Sequence, residues 1–277
     1  MRKLFSRQLV EARHEMLSIF EAVDLTLHDA VRAYVTDDRE LAKKAKEKTF
    51  QIDARCANLE AVCYNLIATQ SPVASDFRLL QTIIYIDFNL QRICDKVRRI
   101  ARAANRKVKS DFEVPAVLVD LIENEAESVY RVMGASVTAL VNNDLSLVLS
   151  LSDEDEVVHD LYQKFFRTFN RTEAVELDDD AAMDDFRRTI MVSRYLDRIA
   201  SISMECAYRL VFLLTGQRWT AADLAEADEG ELEGMRVPSG EGVILDPATD
   251  AHYVSSLPLD EVGSELKRLI EEGREGA

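Results

Sequence analysis

The chain has 277 residues and a formal net charge of −16, and this length is sufficient for one or two buried cores. It contains 9 glycines and 5 prolines, and only one glycine, Gly134, precedes residue 216. Strand-rich folds need many turns built from Gly, Pro, Asn and Asp, so residues 1–215 are predicted to be all-α. The same scarcity of glycine excludes a dinucleotide fingerprint or a phosphate-cradling loop there. No nucleophile, base and orienting group assemble into a pattern, and we expect no enzymatic activity.

The charged residues and the cysteines indicate which kinds of partner and which cellular compartment to expect. Because phosphate contacts need Lys and Arg, a chain with this excess of carboxylates is not expected to bind nucleic acid. No apolar run reaches transmembrane length, and charges between Arg7 and Glu15 interrupt the apolar core that a signal peptide needs. We therefore expect a cytoplasmic protein. The four cysteines form no C-x-x-C pair and are predicted to be buried apolar residues: Cys56, Cys63, Cys94 and Cys206.

Apolar residues recur at steps of three and four along six segments, which predicts six helices. Ser75 or Asp76 is expected to cap the third helix, after Pro72 ends the second. Pro115 fits the first turn of the fourth helix. The six predicted helices cover residues 4–35, 38–69, 75–104, 115–142, 144–169 and 178–214.

An internal duplication organises these helices. The run Leu90-x-Arg92-Ile93 returns 106 residues later as Leu196-x-Arg198-Ile199, and the helix break at 36–38 returns at 142–144. A repeat of this period predicts two copies of one helical unit. We therefore predict an all-α fold of two tandem three-helix bundles.

The predicted domains are a first repeat at 1–109, a second repeat at 110–215 and an acidic tail at 216–277. The tail holds 15 acidic and 5 basic residues together with most of the glycines. This composition indicates either a partly disordered arm or a small appendage, with a hairpin at 243–254 and a helix at 259–272.

The third predicted helix ends in a cluster of cations. Some cations suit any helix C-terminus, because the last carbonyl groups carry partial negative charge. The number found here exceeds that need, so a surface that docks onto an acidic partner or onto anionic lipid headgroups is also predicted. The residues assigned to this docking surface are Arg98, Arg99, Arg102, Arg106, Lys107 and Lys109.

Three stretches carry a family resemblance. They are Pro72-x-Ala74-Ser75-Asp76-x-Arg78, Arg92-Ile93-Cys94-Asp95 and Asp197-Arg198-Ile199. Over residues 6–214 the chain resembles the PhoU family of phosphate-uptake regulators. The resemblance implies a non-catalytic adaptor that contacts the ATPase subunit of a phosphate ABC transporter and a sensor histidine kinase, and that represses the phosphate-starvation response.

The same resemblance implies a cytoplasmic or membrane-peripheral location, and dimers are common in the family, so a homodimer is one expected assembly. Two other functions stay open. The chain is alternatively a helical metal-binding protein, or the accessory protein of a different phosphate carrier.

The resemblance also implies a metal, because several members of the family are similar to carriers of iron, manganese, magnesium or zinc on an E/D-x-x-x-D motif in each repeat. Here Gln91 replaces the first acid of one motif and Ser201 replaces the second acid of the other. Residues on a second helix of each repeat would have to complete a site for a divalent or iron-type ion. The candidate ligands are Asp53, Asp95, His159 and Asp197.

Another interpretation of these acids, which we favour, is that they are solvated or pair with Arg92 and Arg198. A ferritin-like centre built from Glu11-x-x-His14 and Glu156-x-x-His159 is disfavoured, because His14 lies off the apolar stripe of its helix and is expected to face water.

Overall fold

The computed structural model describes residues 2–107, 114–171 and 180–220, together with 223 and 230. This part of the chain forms six helices and no strand. Each predicted helix is confirmed, with ends that differ from the prediction by at most three residues. The helices are α1 (Arg2–Val35), α2 (Arg39–Gln70), α3 (Ala74–Lys107), α4 (Ala116–Asn142), α5 (Leu145–Arg171) and α6 (Asp180–Thr215). The predicted hairpin and helix of the tail lie outside the described residues.

The six helices form the two predicted three-helix bundles. Helices α1, α2 and α3 pack on one another, as do α4, α5 and α6. The bundles meet chiefly through α3 and α6, with a smaller contact between α1 and α4. The predicted domain boundary at 109/110 falls outside the described residues. None of the described helices combines the length and the apolar character that crossing a membrane requires.

Helix α3 buries more than one of its faces. Adjacent residues such as Ile93 and Cys94 are both fully buried, which a helix with a single apolar stripe does not show. One face packs on α1 and α2 while another packs on α6. The repeated residues Ile93 and Ile199 are both inaccessible to solvent, and burying each side chain of this size contributes roughly 1.5–3 kcal/mol.

The duplication predicted from sequence is confirmed at the two helix breaks. Asp37 and Asn143, 106 residues apart, both adopt the left-handed conformation, with φ of 57° and 55°. In the next position, the backbone N–H of Asp38 donates to Ala33 at 3.1 Å, and that of Asp144 donates to Ala139 at 3.0 Å. These six-to-one bonds satisfy carbonyl groups at the C-termini of α1 and α4.

The same two aspartates begin the following helices. An Oδ1 of Asp38 accepts from the N–H of Leu41 at 2.9 Å, and Oδ1 of Asp144 accepts from the N–H of Leu147 at 3.2 Å. Asp144 also accepts from the N–H of Ser146. One residue in each repeat therefore ends one helix and caps the next.

Two helix-end predictions are wrong. Helix α3 begins at Ala74, so Ser75 and Asp76 lie within its first turn and not at the position before it. Pro115 is the residue before α4 and not its first helical residue. In both cases the helix start has moved by one residue, which is enough to change the role of a capping side chain.

Two side chains of α1 join the bundles across large sequence separations. Arg13, only 3% exposed, extends from α1 and donates to the carbonyl oxygen of Leu140 at 2.7 Å, near the C-terminus of α4. Tyr34 of α1 donates to the hydroxyl of Thr189 on α6 at 3.0 Å. His14 is 6% exposed, so the prediction that it faces water is wrong. The neighbouring contact of α1 with α4 covers a side of α1 that the apolar stripe does not reveal.

The cysteine prediction is confirmed, because all four are free and buried. Burial raises the pKa of the Cys63 and Cys94 thiols to about 12. Asp87 lies in the same region between α2 and α3 and is 1% exposed. Its Oδ2 accepts from Gln91 at 3.0 Å. Burial raises the pKa of Asp87, and hydrogen bonds from Cys56 and Gln91 offset only part of that rise.

The capping role of Asp144 gives a first prediction. Asp144→Ala removes the acceptor of two N–H groups in the first turn of α5 and should lower the free energy of unfolding by about 1 kcal/mol. Asp144→Asn, which keeps an acceptor oxygen, should lose much less. Chemical denaturation measures both, with Asp160→Ala, at an exposed position of α5, as the control. A loss for Asp160→Ala equal to that for Asp144→Ala would contradict the capping role.

Asp87 gives a prediction about pH. Because its folded-state pKa is raised, the stability that Asp87 contributes is complete below its unfolded pKa of about 3.9 and is lost as pH rises through the folded-state value. The neutral variant Asp87→Asn should therefore melt at a higher temperature than the natural chain at pH 8, and the gap should narrow towards pH 4. Asp160→Asn carries the same charge change at an exposed site. Equal pH profiles for the two variants would refute this account of Asp87.

Candidate functional site

The repeated arginines lie where the two bundles meet. Arg92 of α3 pairs with Glu205 of α6 at 3.0 Å, and the Arg99 guanidinium lies 6.0 Å from the Tyr195 ring centre. Residues later in α3 thus contact residues earlier in α6, so the two helices run antiparallel. Arg92 and Arg198, which are equivalent in the duplication, consequently line one shared groove.

In the first bundle, a buried cation holds the two candidate metal ligands. Arg98 is 13% exposed, and its guanidinium forms a close ion pair with Asp53 and lies 3.9 Å from Asp95. It also donates to the Thr49 hydroxyl at 2.9 Å and lies over the Phe50 ring at 4.7 Å. The Arg98 guanidinium therefore lies between the carboxylates of these two candidate ligands.

The second bundle has a different arrangement at the equivalent positions. His159 replaces Asp53, and its Nδ1 lies 3.4 Å from Oδ1 of Asp197. Asp155 takes the place of Thr49, and burial, followed by the charge of Asp197, raises its pKa. Met204 stands where the first bundle has Arg98. The second bundle therefore places the carboxyl groups of Asp155 and Asp197 near each other, with no arginine at the position equivalent to Arg98.

A fully buried carboxyl, Glu125 of α4, lies close to this group. Its Oε2 accepts from the Ser193 hydroxyl at 2.6 Å, and burial raises its pKa well above the ordinary range. The sequence analysis missed both Glu125 and Asp155. The signal for Glu125 was its place between Ile122 and Val129 on the apolar stripe of α4, where a carboxyl is unusual.

The structure therefore divides the four candidate ligands into two pairs. Asp53 and Asp95 share Arg98, while His159 contacts Asp197. Over the described ranges, no group of three or more His, Cys, Asp and Glu residues is placed to hold a metal ion. Asp95 pairs with Arg98 and Arg99, whereas Arg92 pairs with Glu205. A four-residue metal site stays a prediction.

The six residues predicted to dock a partner have three different environments. Arg98 is paired internally, and Lys107 binds Asp37 at 2.8 Å and the Tyr34 carbonyl oxygen at 3.0 Å. Lys109 lies outside the described residues. The remaining three, Arg99, Arg102 and Arg106, face a cavity of about 330 Å³ between α3 and α6.

Arginines of α6 form the opposite wall of this cavity, and the cations continue beyond it. A second cavity, of about 420 Å³, adjoins the first and shares Arg99 and Tyr195 with it. We call the two cavities together the arginine groove. Its cationic residues are Arg92, Lys96, Arg99, Arg102, Arg106, Arg187, Arg188, Arg194 and Arg198. Its carboxylates are Asp95 and Asp184.

The α6 wall was missed by the sequence analysis although its signal was present. Arg187, Arg194 and Arg198 recur at steps of seven and four, which places them on one face of a helix. That this face lies beside the basic end of α3 depends on the antiparallel packing, which helix periodicity does not reveal.

The role of Arg98 can be tested directly. Arg98→Met copies the residue of the second bundle and leaves Asp53 and Asp95 without their shared cation, so it should lower the free energy of unfolding by about 1–3 kcal/mol. The measurement is denaturant unfolding. The matched control, Arg167→Met, removes an exposed arginine of α5. If both variants lost the same stability, the internal ion-pair account would be wrong.

Comparison with known proteins agrees with this architecture. The family model described as the PhoU domain matches residues 16–104. A protein of Methanothermobacter thermautotrophicus, named phosphate-specific transport system accessory protein PhoU homolog 1, is 25% identical over 217 residues, covering 78% of this chain and 97% of that protein. The homologue from Pseudomonas aeruginosa is 26% identical over 212 residues, covering 76% of this chain and 86% of the relative.

Solved structures show the same fold. The crystal structure of PhoU from Pseudomonas aeruginosa superposes with a TM-score of 0.68 at 26% identity, covering 77% of this chain and all of that one. PhoU from Streptococcus pneumoniae superposes with a TM-score of 0.67 at 21% identity, covering 78% of this chain and 99% of the other. The chain is therefore similar to PhoU proteins, through a PhoU domain match over residues 16–104, through relatives that align along three quarters of the sequence, and through a shared fold.

Proposed function

We propose that this protein is a regulatory accessory protein of phosphate uptake. The observation that carries the proposal is the extent of the similarity. Relatives named as accessory proteins of a phosphate-specific transport system align over 76–78% of this chain, and therefore over parts of both bundles. A relative from Serratia marcescens with the same accessory role in its name aligns over 77%.

The finer proposal concerns its partners. We infer that the protein contacts the ATPase subunit of a phosphate ABC transporter and a sensor histidine kinase, and that these contacts hold phosphate-starvation genes off when phosphate is plentiful. The long exposed faces of the two bundles support a role that works by contact. Such contacts would bring the protein to the cytoplasmic face of the membrane through its partners. A homodimer also stays a prediction.

Part of the predicted docking surface is accessible for such a contact. Arg99, Arg102 and Arg106 are exposed at the end of α3, whereas Arg98 and Lys107 are held by internal partners. A docking role for the accessible three remains a proposal. It is supported by their positive charge on an otherwise acidic protein, which favours encounter with an acidic partner surface.

The proposed function predicts specific captured proteins. The tagged full chain, cross-linked in phosphate-replete cells, should capture a phosphate-transporter ATPase subunit or a histidine kinase, identified by mass spectrometry. Replacing Arg99, Arg102 and Arg106 together by Gln should reduce that capture several-fold through the loss of charge–charge attraction. Arg167→Gln, at an exposed position of α5, is the control and should capture normally.

Deletion of the gene provides the second measurement. Phosphate-starvation genes should then be expressed in phosphate-rich medium. Capture of neither partner, together with unchanged gene expression after deletion, would overturn the proposed function.

A further inference from the structure

We propose that the arginine groove binds a soluble anion that carries several phosphate groups in a chain. The inference goes beyond the accessory role proposed above and does not rest on it. Its basis is the concentration of guanidinium groups between α3 and α6 on a chain whose net charge is strongly negative.

Most of the positive charge in the groove is uncompensated. Four of the cations pair with carboxylates: Arg92 with Glu205 at 3.0 Å, Arg99 with Asp95 at 2.9 Å, and Arg187 and Arg188 with Asp184 at 3.6 and 3.3 Å, with Arg188 also pairing with Asp185. No carboxylate in the described part of the chain pairs with Arg194 or Arg198, and both are exposed. The groove therefore holds nine cations against four paired carboxylates.

The cations are close enough to repel one another. The pKa of Lys96 is lowered, first by burial and then by the charge of Arg92, with Arg99 and Arg198 adding to the effect and Asp95 opposing it. Arg92 comes from the first bundle and Arg198 from the second, so this repulsion acts across the junction between them. A bound anion would neutralise it.

The kind of cation points to phosphate. Eight of the nine cationic side chains are arginines. The planar guanidinium presents paired N–H donors that match two oxygens of one phosphate group, which the ammonium of lysine does not do.

The length of the groove indicates several phosphate groups in line. Arg92 and Arg106 are separated by fourteen residues of α3, which is about 21 Å along the helix axis. A single phosphate could contact only two or three of the guanidinium groups at one point. A chain of phosphates lying between the helices would contact guanidinium groups of both walls.

The shape of the site favours a soluble ligand over a lipid surface. The charges line adjoining cavities of about 330 and 420 Å³, with Tyr195 at their junction. A bilayer presents a broad, flat array of headgroups and would reach the outermost side chains, whereas a small anion can enter the space between the helices. The groove is thus matched to a ligand of a few phosphate groups.

Calorimetric titration of the purified full chain with sodium tripolyphosphate tests the proposal, with inorganic phosphate and sulfate as comparison ligands at equal ionic strength. Tripolyphosphate should bind about tenfold or more tightly than inorganic phosphate, since it can engage several guanidinium groups at once. Sulfate should resemble inorganic phosphate. Equal affinity for phosphate and tripolyphosphate, or no binding of tripolyphosphate, would overturn the proposal.

Matched variants locate the site. Arg194→Gln/Arg198→Gln changes two exposed groove arginines of α6 and should weaken tripolyphosphate binding about tenfold or more. Arg167→Gln/Arg171→Gln makes the same charge change on exposed positions of α5 and should alter it less than about twofold, an effect of net charge alone. Circular dichroism melts confirm that both variants are folded, and Arg102→Gln is a second groove variant on the other helix. Equal weakening by the groove and control variants would refute the assignment.

A vesicle experiment distinguishes the source of the phosphate. Vesicles with 30% anionic phospholipid, chosen as about the charge density of an acidic membrane, should bind weakly and be displaced by tripolyphosphate. Tight vesicle binding without any tripolyphosphate binding would overturn the soluble ligand. These measurements use purified protein, so their failure is independent of the partner capture that tests the proposed function.

Discussion

The antiparallel contact between α3 and α6 is the constraint on which the rest of the molecule depends. Each of these helices packs both within its own bundle and against the other bundle, so each buries apolar residues on more than one side. The face that remains is narrow and must be polar. In α3 and α6 that face carries arginine, and the antiparallel packing sets the two arginine-bearing faces side by side. The groove is thus a consequence of how the bundles are joined.

The two bundles share a backbone arrangement and differ in the charged residues at equivalent positions. The equivalent breaks at Asp37 and Asn143 repeat the same left-handed turn. At the position beside the candidate ligands, however, the first bundle has Arg98 and the second has Met204. The arginine there pairs with two partly exposed carboxylates, Asp53 and Asp95. In the second bundle, burial raises the pKa of Asp155 and of Glu125 above their ordinary values. The duplication therefore conserved the scaffold while the polar interior diverged.

Sequence periodicity predicted the helices and the duplication because both depend on local spacing. The 106-residue offset was visible in the Leu-x-Arg-Ile runs and in the helix breaks, and the structure shows the same capping geometry at Asp38 and Asp144. The features that sequence periodicity did not reveal depend on contacts between helices that are distant in sequence. His14 is buried although it lies off the apolar stripe of α1, and the arginines of α6 line a groove only because α3 packs beside them. The candidate ligands Asp53 and Asp95 both lie against Arg98, and this arrangement depends on side-chain positions that helix periodicity does not reveal.

The arginine groove is locally positive on a protein whose net charge is negative. A protein of net charge −16 repels anions at long range, yet screening confines that repulsion to about 8 Å at physiological salt. Within the groove the local excess of guanidinium groups dominates, so an anion that arrives there is attracted although the whole protein is not. Small ligands can reach such a recess. The same argument links the groove to regulation, because an anion bound between α3 and α6 would neutralise Arg99, Arg102 and Arg106 and so change the charge of the face on which partner docking is proposed.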